Sequence, residues 1–567
     1  MDSCSFEKKC IFTQYLTIIY FMKKIIIPFL LLLAISSQSI ILAAETAPIK
    51  LNSLGYLPQS VKKATVTTEA TVFQVISSQT GREVFQGKLS GQIYQKDVDQ
   101  KVWIADFSQV TQPGKYTLQI KGIGKSNEFT IGSDVYKKPY VTSMRAFYLW
   151  RCGMAVHADY KGSHYETKAC HLEDGWMDYT GKTNERRDGT GGWHDAGDFG
   201  KYTVNAGVTM GVLFYAWDHF GNKLKNISLG IPQTTPGMPD FLQEMKWETD
   251  FLLKMQYNDG SGRVSHKLTR KGFEGFVMPQ DDKEKRYFTE WGSAATADFV
   301  AIMAMAARYF KPYDAAYAQK CLDAATVSYN FLLANPATKD FAQGDFSTGG
   351  YQTGDADDRL WAAAEMWETT GNCNSLNDLE SRIEKLKIMT EENWDWGSVD
   401  NLGVFTYALS KREGKNPQLQ AKAKQAIITS ANQLIEKAQA DVYARPLANV
   451  YFWGCNGTVG RQAVNLQVAN ILSPNKKYTE TILDIIAHLF GRNYYGRSYV
   501  TGLGVNPPMF PHDRRSAADG IKAPWPGYLV GGGHSATDWV DKQEDYSRNE
   551  IAINWQAGLV YALAGGL

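Results

Sequence analysis

From Ile49 to about Ser133 apolar positions alternate in short runs broken by turn residues, as in "ATVFQVISSQTGREVFQGKL" and "KVWIADFSQVTQPGKYTLQIKG". A period of two puts every other side chain on one face, so both stretches read as strand, turn, strand. Gly and Pro in "SQTGRE" and "TQPGKY" sit where hairpins and sheet corners need them. The pattern predicts a small β-sandwich over residues 45–135. After "GSDVYKKPY" the spacing lengthens to three or four and stays there. "SAATADFVAIMAMAARYF", "DAAYAQKCLDAATVSYNFLL", "DDRLWAAAEMWETTG", "LQAKAKQAIITSANQLIEKA" and "EIAINWQAGLVYALAG" each predict an amphipathic helix, so residues 139–567 form an all-α region. Segments rich in Gly, Pro and Trp interrupt these helices and hold nearly all the chemically distinctive residues.

At 567 residues the chain is long enough for two domains, each with its own core. Lys plus Arg number 60 against 59 Asp plus Glu, a formal net charge of +1, which argues against nucleic acid as a partner. Substrate attraction then falls to shape and hydrogen bonds, and 15 Trp with 30 Tyr supply flat apolar faces with polar tips. "MKKIIIPFLLLLAISSQSIILAAE", from Met22, has the layout of a secretory signal peptide, so residues 1–44 are read as a targeting segment with Met22 as the true start. The expected protein is secreted or periplasmic, monomeric, and free of the membrane after cleavage. The competing reading is an anchor, because apolar character extends from Tyr15 to Leu42 with Lys23 and Lys24 interrupting it. Of the seven cysteines, Cys4 and Cys10 leave with that segment, and Cys321, Cys373 and Cys455 are expected to be buried small apolar residues.

The stretch "GGWHDAGDFGKY" places Asp195 and Asp198 three positions apart among glycines. A carboxylate pair in a neutral, aromatic-rich exported protein suggests glycoside hydrolysis, in which one group protonates the leaving oxygen and another acts on the opposite sugar face. Two aspartates alone are also what a solvated loop contains. Two further segments, "SYVTGLGVNPPMFPHDR" and "WVDKQEDYSRNEIAINWQAG", stand near the C-terminus in order. Together the three resemble glycoside hydrolase family 9, a cellulase family with an (α/α)6 barrel, and the resemblance runs from Tyr140 to Leu567. It implies that Asp198 is the general base and Asp195 its partner in holding the water. It implies sugar-holding roles for His512 and Arg514, supporting roles for Asp541 and Tyr546, and Glu550 as general acid. Glu550 must then keep its proton near neutral pH, which calls for desolvation or a neighbouring negative charge, whereas Asp198 must stay ionised. Two positions depart from the family pattern: Asp513 where a histidine is usual, and Gln556 where an asparagine is usual. They put substrate preference in question more than activity. "IKLNSLGYLPQSVKKATV" resembles the start of the immunoglobulin-like module that precedes the barrel in one branch of the family. The expected role is packing against the barrel; the alternative is an independent sugar-binding module.

Cys152, Cys170, His171 and His194 make up a tetrahedral zinc set, and the resembled branch carries a structural zinc on matching positions. A disulfide between Cys152 and Cys170 is the ordinary alternative in an exported protein. "YQTGDADDRLW" offers hard oxygen ligands, and the resemblance implies structural calcium at Thr353, Asp355 and Asp358 with a later aspartate such as Asp400; a solvated acidic loop is the alternative. No catalytic cofactor is expected. The whole reads as an inverting endo-β-1,4-glucanase acting on soluble or amorphous glucans, since no further module follows the last helix before Leu567. Exo-acting glucosidase or glucosaminidase relatives and a xyloglucan-directed glucanase are the alternatives.

Overall fold

The computed structural model describes residues 47–567. The expected targeting segment and the assignment of Met22 as start therefore lie outside the described residues.

The alternating region forms two antiparallel sheets. One orders β1 (Ile49–Lys50), β2 (Lys63–Val66), β6 (Gln100–Asp106) and β5 (Ile93–Gln95); the other orders β4 (Glu83–Lys88), β3 (Val72–Ser77), β7 (Gly114–Ile120) and β8 (Gly124–Lys125), with β9 (Phe129–Ile131) also on β7. The "SQTGRE" turn closes the β3–β4 hairpin, with Gly81 at φ 69°. The "TQPGKY" turn instead carries the chain from β6 in one sheet to β7 in the other, so it is a sheet corner. Alternate residues of both sheets point inward, among them Phe73, Val75, Ala105 and Leu118, each fully buried. Tyr56 meets Phe107 and Phe129 edge to face at 5.3 and 5.6 Å.

The outer surface of β2 and β6 is committed to the helical region. Thr65 donates to the Val442 carbonyl at 2.6 Å, and the Tyr443 hydroxyl donates to Gln100 at 2.6 Å. Val98 and Val102 share an apolar cluster with Val442, Tyr443 and Ala536. Lys50, 1% exposed, lies over the rings of Tyr443 and Tyr494.

Twelve helices of ten residues or more follow among the described residues: α1 (Lys137–Leu149), α2 (Thr203–Leu224), α3 (Asp240–Met255), α4 (Ser293–Phe310), α5 (Ala315–Ala334), α6 (Ala356–Thr370), α7 (Cys373–Ile383), α8 (Asp400–Leu409), α9 (Pro417–Ala440), α10 (Cys455–Leu472), α11 (Lys476–Leu489) and α12 (Ile553–Gly565). The even-numbered helices touch in series, α2 to α4, α6, α8, α10, α12 and back to α2. Their composition explains the placement. In α4, 16 of 18 residues are buried, and in α12, 12 of 13, so neither has a solvent face. "SAATADFVAIMAMAARYF" and "EIAINWQAGLVYALAG" are thus buried all round instead of amphipathic; alanine and glycine let neighbours approach from every side. The odd-numbered α9 keeps the amphipathic form, burying 8 of 24 residues on one stripe, with Asn416 capping its first turn through the Gln418 and Leu419 amides.

Gln556 anchors α12. Its amide donates to the carbonyls of Ser143 and Gly527 at 2.7 Å each and its oxygen accepts from Leu529 N–H, so the longer side chain ties α12 to α1 and to the 527–529 segment. Cys321 and Cys455 are buried as expected, but Cys373 is exposed: it opens α7, ahead of the first residue that helix buries. Among the described residues no helix is long and apolar enough to cross a membrane.

Candidate active site and metal centre

A cleft of about 320 Å³ opens at the N-terminal ends of the inner helices. Asp195, Asp198 and Tyr202 precede α2, Gly349 to Tyr351 precede α6, Asp395 and Trp396 precede α8, Trp453 precedes α10 and Glu550 precedes α12, and all of them line it. Helix starts carry unpaired N–H groups and the positive end of the peptide dipole, a setting that favours carboxylates.

The aspartate loop is pinned at almost every residue. Gly192 O accepts from Cys152 N–H at 2.8 Å and from the Trp247 indole at 3.1 Å; Trp193 N–H donates to Glu248 at 2.6 Å and its indole to Glu244 at 2.8 Å. His194 N–H reaches the Trp150 carbonyl, Asp195 O accepts from Ile553 N–H, and Phe199 N–H donates to Glu274 at 3.0 Å. The glycines serve this close packing. A Cβ on Gly197 would lie 2.1 Å from the His512 carbonyl, and one on Gly192, at φ 75°, would strike the Phe251 ring. The loop is therefore rigid, with the backbone of "HDAG" pressed against "PHDR".

Its two carboxylates have different surroundings. Asp198 Oδ2 accepts from Gly200 N–H and from the Tyr202 hydroxyl, both at 3.0 Å. Asp195 accepts from Asn205 at 2.8 Å and from Tyr351 at 2.6 Å; burial first, then the charge of Asp198, pushes its carboxyl up to about 8 against the pull of those two donors. Tyr351 sits at φ 43°, a left-handed conformation rare for a bulky side chain.

Across the cleft Glu550 forms a backbone bridge with His512, and His512 N–H donates to the Asn549 carbonyl. Burial and the charge of Asp198 hold the Glu550 carboxyl well above the usual range, opposed by Arg514 and reinforced by Asp195. His512 shares its Nδ1 proton with the Gln543 carbonyl at 2.7 Å, leaving Nε2 to accept from Arg514 at 3.2 Å. Arg514 pairs with Glu274 at 3.1 Å. Asp541 faces away from the cleft and accepts from Met509 and Phe510 N–H, Arg497 and Asn549, fixing the turn that leads to His512. Tyr546 stands exposed at the rim, 5.4 Å from the exposed Trp453 ring and 6.0 Å from His512. Asp513 adds no free charge here: it caps the short helix Arg514–Ala518 and pairs with buried Arg515 at 3.1 Å.

Several cleft residues went unassigned in the sequence. Tyr202 closes the quoted "GGWHDAGDFGKY", Tyr351 follows a glycine pair in "GGYQTGDADDR", and Trp396 lies in "ENWDWGSVD". An aromatic beside Gly or Asp in a segment that runs into a helix was the available signal.

Cys152, Cys170, His171 and His194 converge, with all four ligand atoms within 4.8 Å of one another and no disulfide formed. The Cys152 Sγ to His171 Nδ1 distance is 3.5 Å, His171 Nδ1 to His194 Nε2 is 3.3 Å, and Cys170 Sγ to His194 Nε2 is 3.9 Å. A tetrahedral zinc with bonds of about 2.3 Å to sulfur and 2.0–2.1 Å to nitrogen has edges of about 3.3 to 3.8 Å, so the set fits. Burial pushes the His194 imidazole down to about 4, leaving it neutral and able to ligate at neutral pH. His171 holds φ 50°, which brings its ring onto the cluster, and Asp282 stands 3.4 Å from its far nitrogen.

At the positions expected to hold calcium, the side chains have other partners in the structure. Asp355 is spent on Arg359 at 2.6 Å and Thr338 at 2.7 Å, and Asp358 turns into the core against Asp298, with Gly207 beside it. Asp400 is pushed up to about 7 by burial and by Asp357 and Glu391.

The sequence profile described as "Glycosyl hydrolase family 9" matches residues 136–563, and that of "Cellulase N-terminal ig-like domain" matches residues 44–125. The chain belongs to glycosyl hydrolase family 9. It is a glycoside hydrolase with an immunoglobulin-like N-terminal domain ahead of a helical catalytic domain. It is 52% identical over 519 residues to Endoglucanase D of Acetivibrio thermocellus, covering 91% of this chain and 83% of that one. A xyloglucan-specific endo-β-1,4-glucanase of Bacteroides ovatus is 32% identical, covering 92% and 93%. Among solved structures, a Bacteroides ovatus family 9 protein superposes with TM-score 0.85 at 31% identity, over 92% of this chain and 98% of that one. A zinc-binding triple mutant of a family 9 endoglucanase gives 0.83 at 31% identity, over 90% and 99%.

Proposed function

We propose that this enzyme is an inverting endo-β-1,4-glucanase whose general acid is Glu550 and whose general base is Asp198. The observation that carries the reading is that one aromatic cleft holds Asp198, accepting two hydrogen bonds on one oxygen, and Glu550, whose carboxyl burial and the Asp198 charge hold well above the usual range. Glu550 keeps its proton and delivers it to the glycosidic oxygen as the bond to the anomeric carbon breaks. Asp198, charged and held by two donors, takes a proton from the water that attacks the opposite face, and Asp195 helps to hold that water. His512 and Arg514 hold the sugar beside the cleaved bond, while Trp396, Trp453 and Tyr546 offer faces for sugar rings. The likeness to Endoglucanase D supports endo action on β-1,4-glucan.

In this reading the even-numbered helices are the inner ring of an (α/α)6 barrel spanning residues 139–567, and residues 45–135 are the immunoglobulin-like domain. A zinc ion on Cys152, Cys170, His171 and His194 would be structural, because four protein ligands leave no open position, and it would brace the loop that carries Asp195. The signal-like segment from Met22 supports export. The test is the anomeric configuration of the first product from a soluble β-glucan, followed by NMR, with the distribution of oligosaccharide lengths. An α-anomer and a broad early length distribution are expected; retention would overturn the assignment of Asp198 as base.

A further inference from the structure

Lys267 is fully buried on the strand Lys267–Thr269, directly opposite Tyr202, and among the described residues no carboxylate forms a salt bridge with it. Its ammonium is spent on one turn of chain. It donates to Gln343 Oε1 at 2.6 Å, to Thr348 Oγ1 at 3.1 Å and to the Gly349 carbonyl at 2.8 Å, with the Thr348 carbonyl at 3.4 Å. The preceding residue helps: His266 Nε2 lies 2.7 Å from the Gly350 carbonyl, and its ring stacks on Phe341 at 4.2 Å. A buried cation held only by neutral acceptors is costly, so its retention calls for a function.

That turn is where the donors to both aspartates are set. Gly349 N–H donates to the Tyr202 hydroxyl at 3.1 Å, which leaves the Tyr202 proton for Asp198. Two residues on, Tyr351 reaches Asp195 from its left-handed backbone conformation. Such a conformation persists only where its surroundings over-determine it, and Lys267 and His266 grip residues 348–350 together with the Thr269 hydroxyl and the Gln343 amide, both on Thr348.

We infer that Lys267 is a positioning residue for the base side of the active site: it gathers the 343–351 turn and so holds Tyr202 on Asp198 and Tyr351 on Asp195, while its charge favours the ionised base. The inference rests on the reading of Asp198 as base. Other charges near the turn are already paired. Asp345 accepts from Lys271 at 2.7 Å and Tyr179 at 2.8 Å, and Glu290 pairs with Lys339 at 3.2 Å, which leaves Asp198 as the anion acting on Lys267. Burial pushes the Lys267 ammonium down to about 7, opposed by Asp198, so its charge and one of its donors are lost as pH rises through that value.

The test compares Lys267→Met with the wild type on an aryl cellobioside bearing a good leaving group, where Glu550 is dispensable and its titration drops out. The expected result is a fall in kcat of roughly tenfold or more with KM within about threefold. The wild-type decline in kcat above about pH 7 should be absent from the variant. The double variant with Tyr351→Phe should lose less than the product of the two single losses, because Lys267 acts in part through the Tyr351 hydrogen bond to Asp195. Thr348→Val and Gln343→Ala loosen the same grip without removing the buried lysine, and should give weaker versions of the same kcat loss if Lys267→Met fails to fold. Wild-type kcat in all three folded variants, an unchanged alkaline decline, or fully multiplicative losses would overturn the inference. Asp198→Ala run in parallel separates the two claims: if it retains turnover the base assignment fails, and if it is dead while the Lys267 variants are unaffected only the positioning role fails.

Discussion

Asp198 and Glu550 line one cleft, yet their surroundings differ in the feature that decides a carboxyl's charge. Asp198 accepts two hydrogen bonds on one oxygen, from a backbone amide and a tyrosine, and both favour the anion. Glu550 is half-buried in the cleft wall, where desolvation and the charge of Asp198 favour its protonated form, with Arg514 and the Gly197 N–H as the opposing influences. The difference teaches that the acid and base roles come from the donors and charges each backbone position supplies.

The strongest way to break the comparison is to delete either partner. Asp198→Ala and Glu550→Ala should each lower kcat on an unactivated glucan by about 10²–10⁴-fold or more with the fold intact. An aryl glycoside with a good leaving group should restore much of the loss in Glu550→Ala and little in Asp198→Ala. Equal rescue of both variants would mean that the two carboxyls do not divide the work.

The next largest effects should come from the tyrosines. Removing a hydrogen bond to a charged group costs about 1.5–3 kcal/mol, so Tyr202→Phe and Tyr351→Phe should each lose about 10- to 100-fold in kcat. Their pH signatures separate them. Tyr202→Phe withdraws a donor from Asp198 and should move the acidic limb of kcat/KM to higher pH. Tyr351→Phe withdraws a donor from Asp195, whose carboxyl then takes up a proton more readily. An unmoved acidic limb in Tyr202→Phe would detach that tyrosine from the base.

How much of this was readable beforehand follows from what each feature depends on. The strand and helix periods depend on local burial and were legible, as was the "GGWHDAGDFGKY" loop, because Gly, His and Asp at that spacing carry local signal. The all-round burial of α4 and α12 was not, since being inner depends on which helices surround them. Tyr351 and Lys267 escaped notice because their partners lie 156 and 76 or more residues away; the glycine pair before Tyr351 was a weak signal, and nothing in "HKLTR" marks Lys267. The acidic loop shows how partners in space differ from spacing in sequence. Asp355 and Asp358 look like a ligand series in sequence, but one helical turn later Arg359 claims the first, and helix geometry turns the second into the core.

Metal removal tests whether the rigidity of the base loop is borrowed from the cluster beside it. Stripping the ion, or Cys152→Ser, should lower Tm by at least about 5 °C, since metal-binding free energy is folding free energy at such sites. Activity should fall only as the loop loosens, by about tenfold or less, because the network from Trp193 to Phe199 survives. Thermal melts with and without a zinc chelator, and metal content per chain, check this; a Tm unmoved by complete zinc removal would leave the hydrogen bonds as the sole brace.

The smallest effect concerns a third carboxyl setting, in which no donor is present at all. Asp298 and Asp358 are fully buried and face each other, with none of their oxygens accepting an N–H or O–H bond from the rest of the described chain. Burial, and for Asp358 the charge of Asp298, holds both well above the ordinary range, so at neutral pH the pair retains at least one proton. With folded values raised above the unfolded ones, the pair's contribution to stability is complete below about pH 4 and is lost progressively as pH rises toward the folded values. Asp358→Asn supplies N–H donors to Asp298 at the same size. It should flatten the decline of Tm as pH rises above about 4. Melting curves across that range measure it. A calcium-dependent rise in wild-type Tm that Asp358→Asn abolishes would instead make the pair an ionic site, and would move it from the proton-sharing side of the comparison to the metal side.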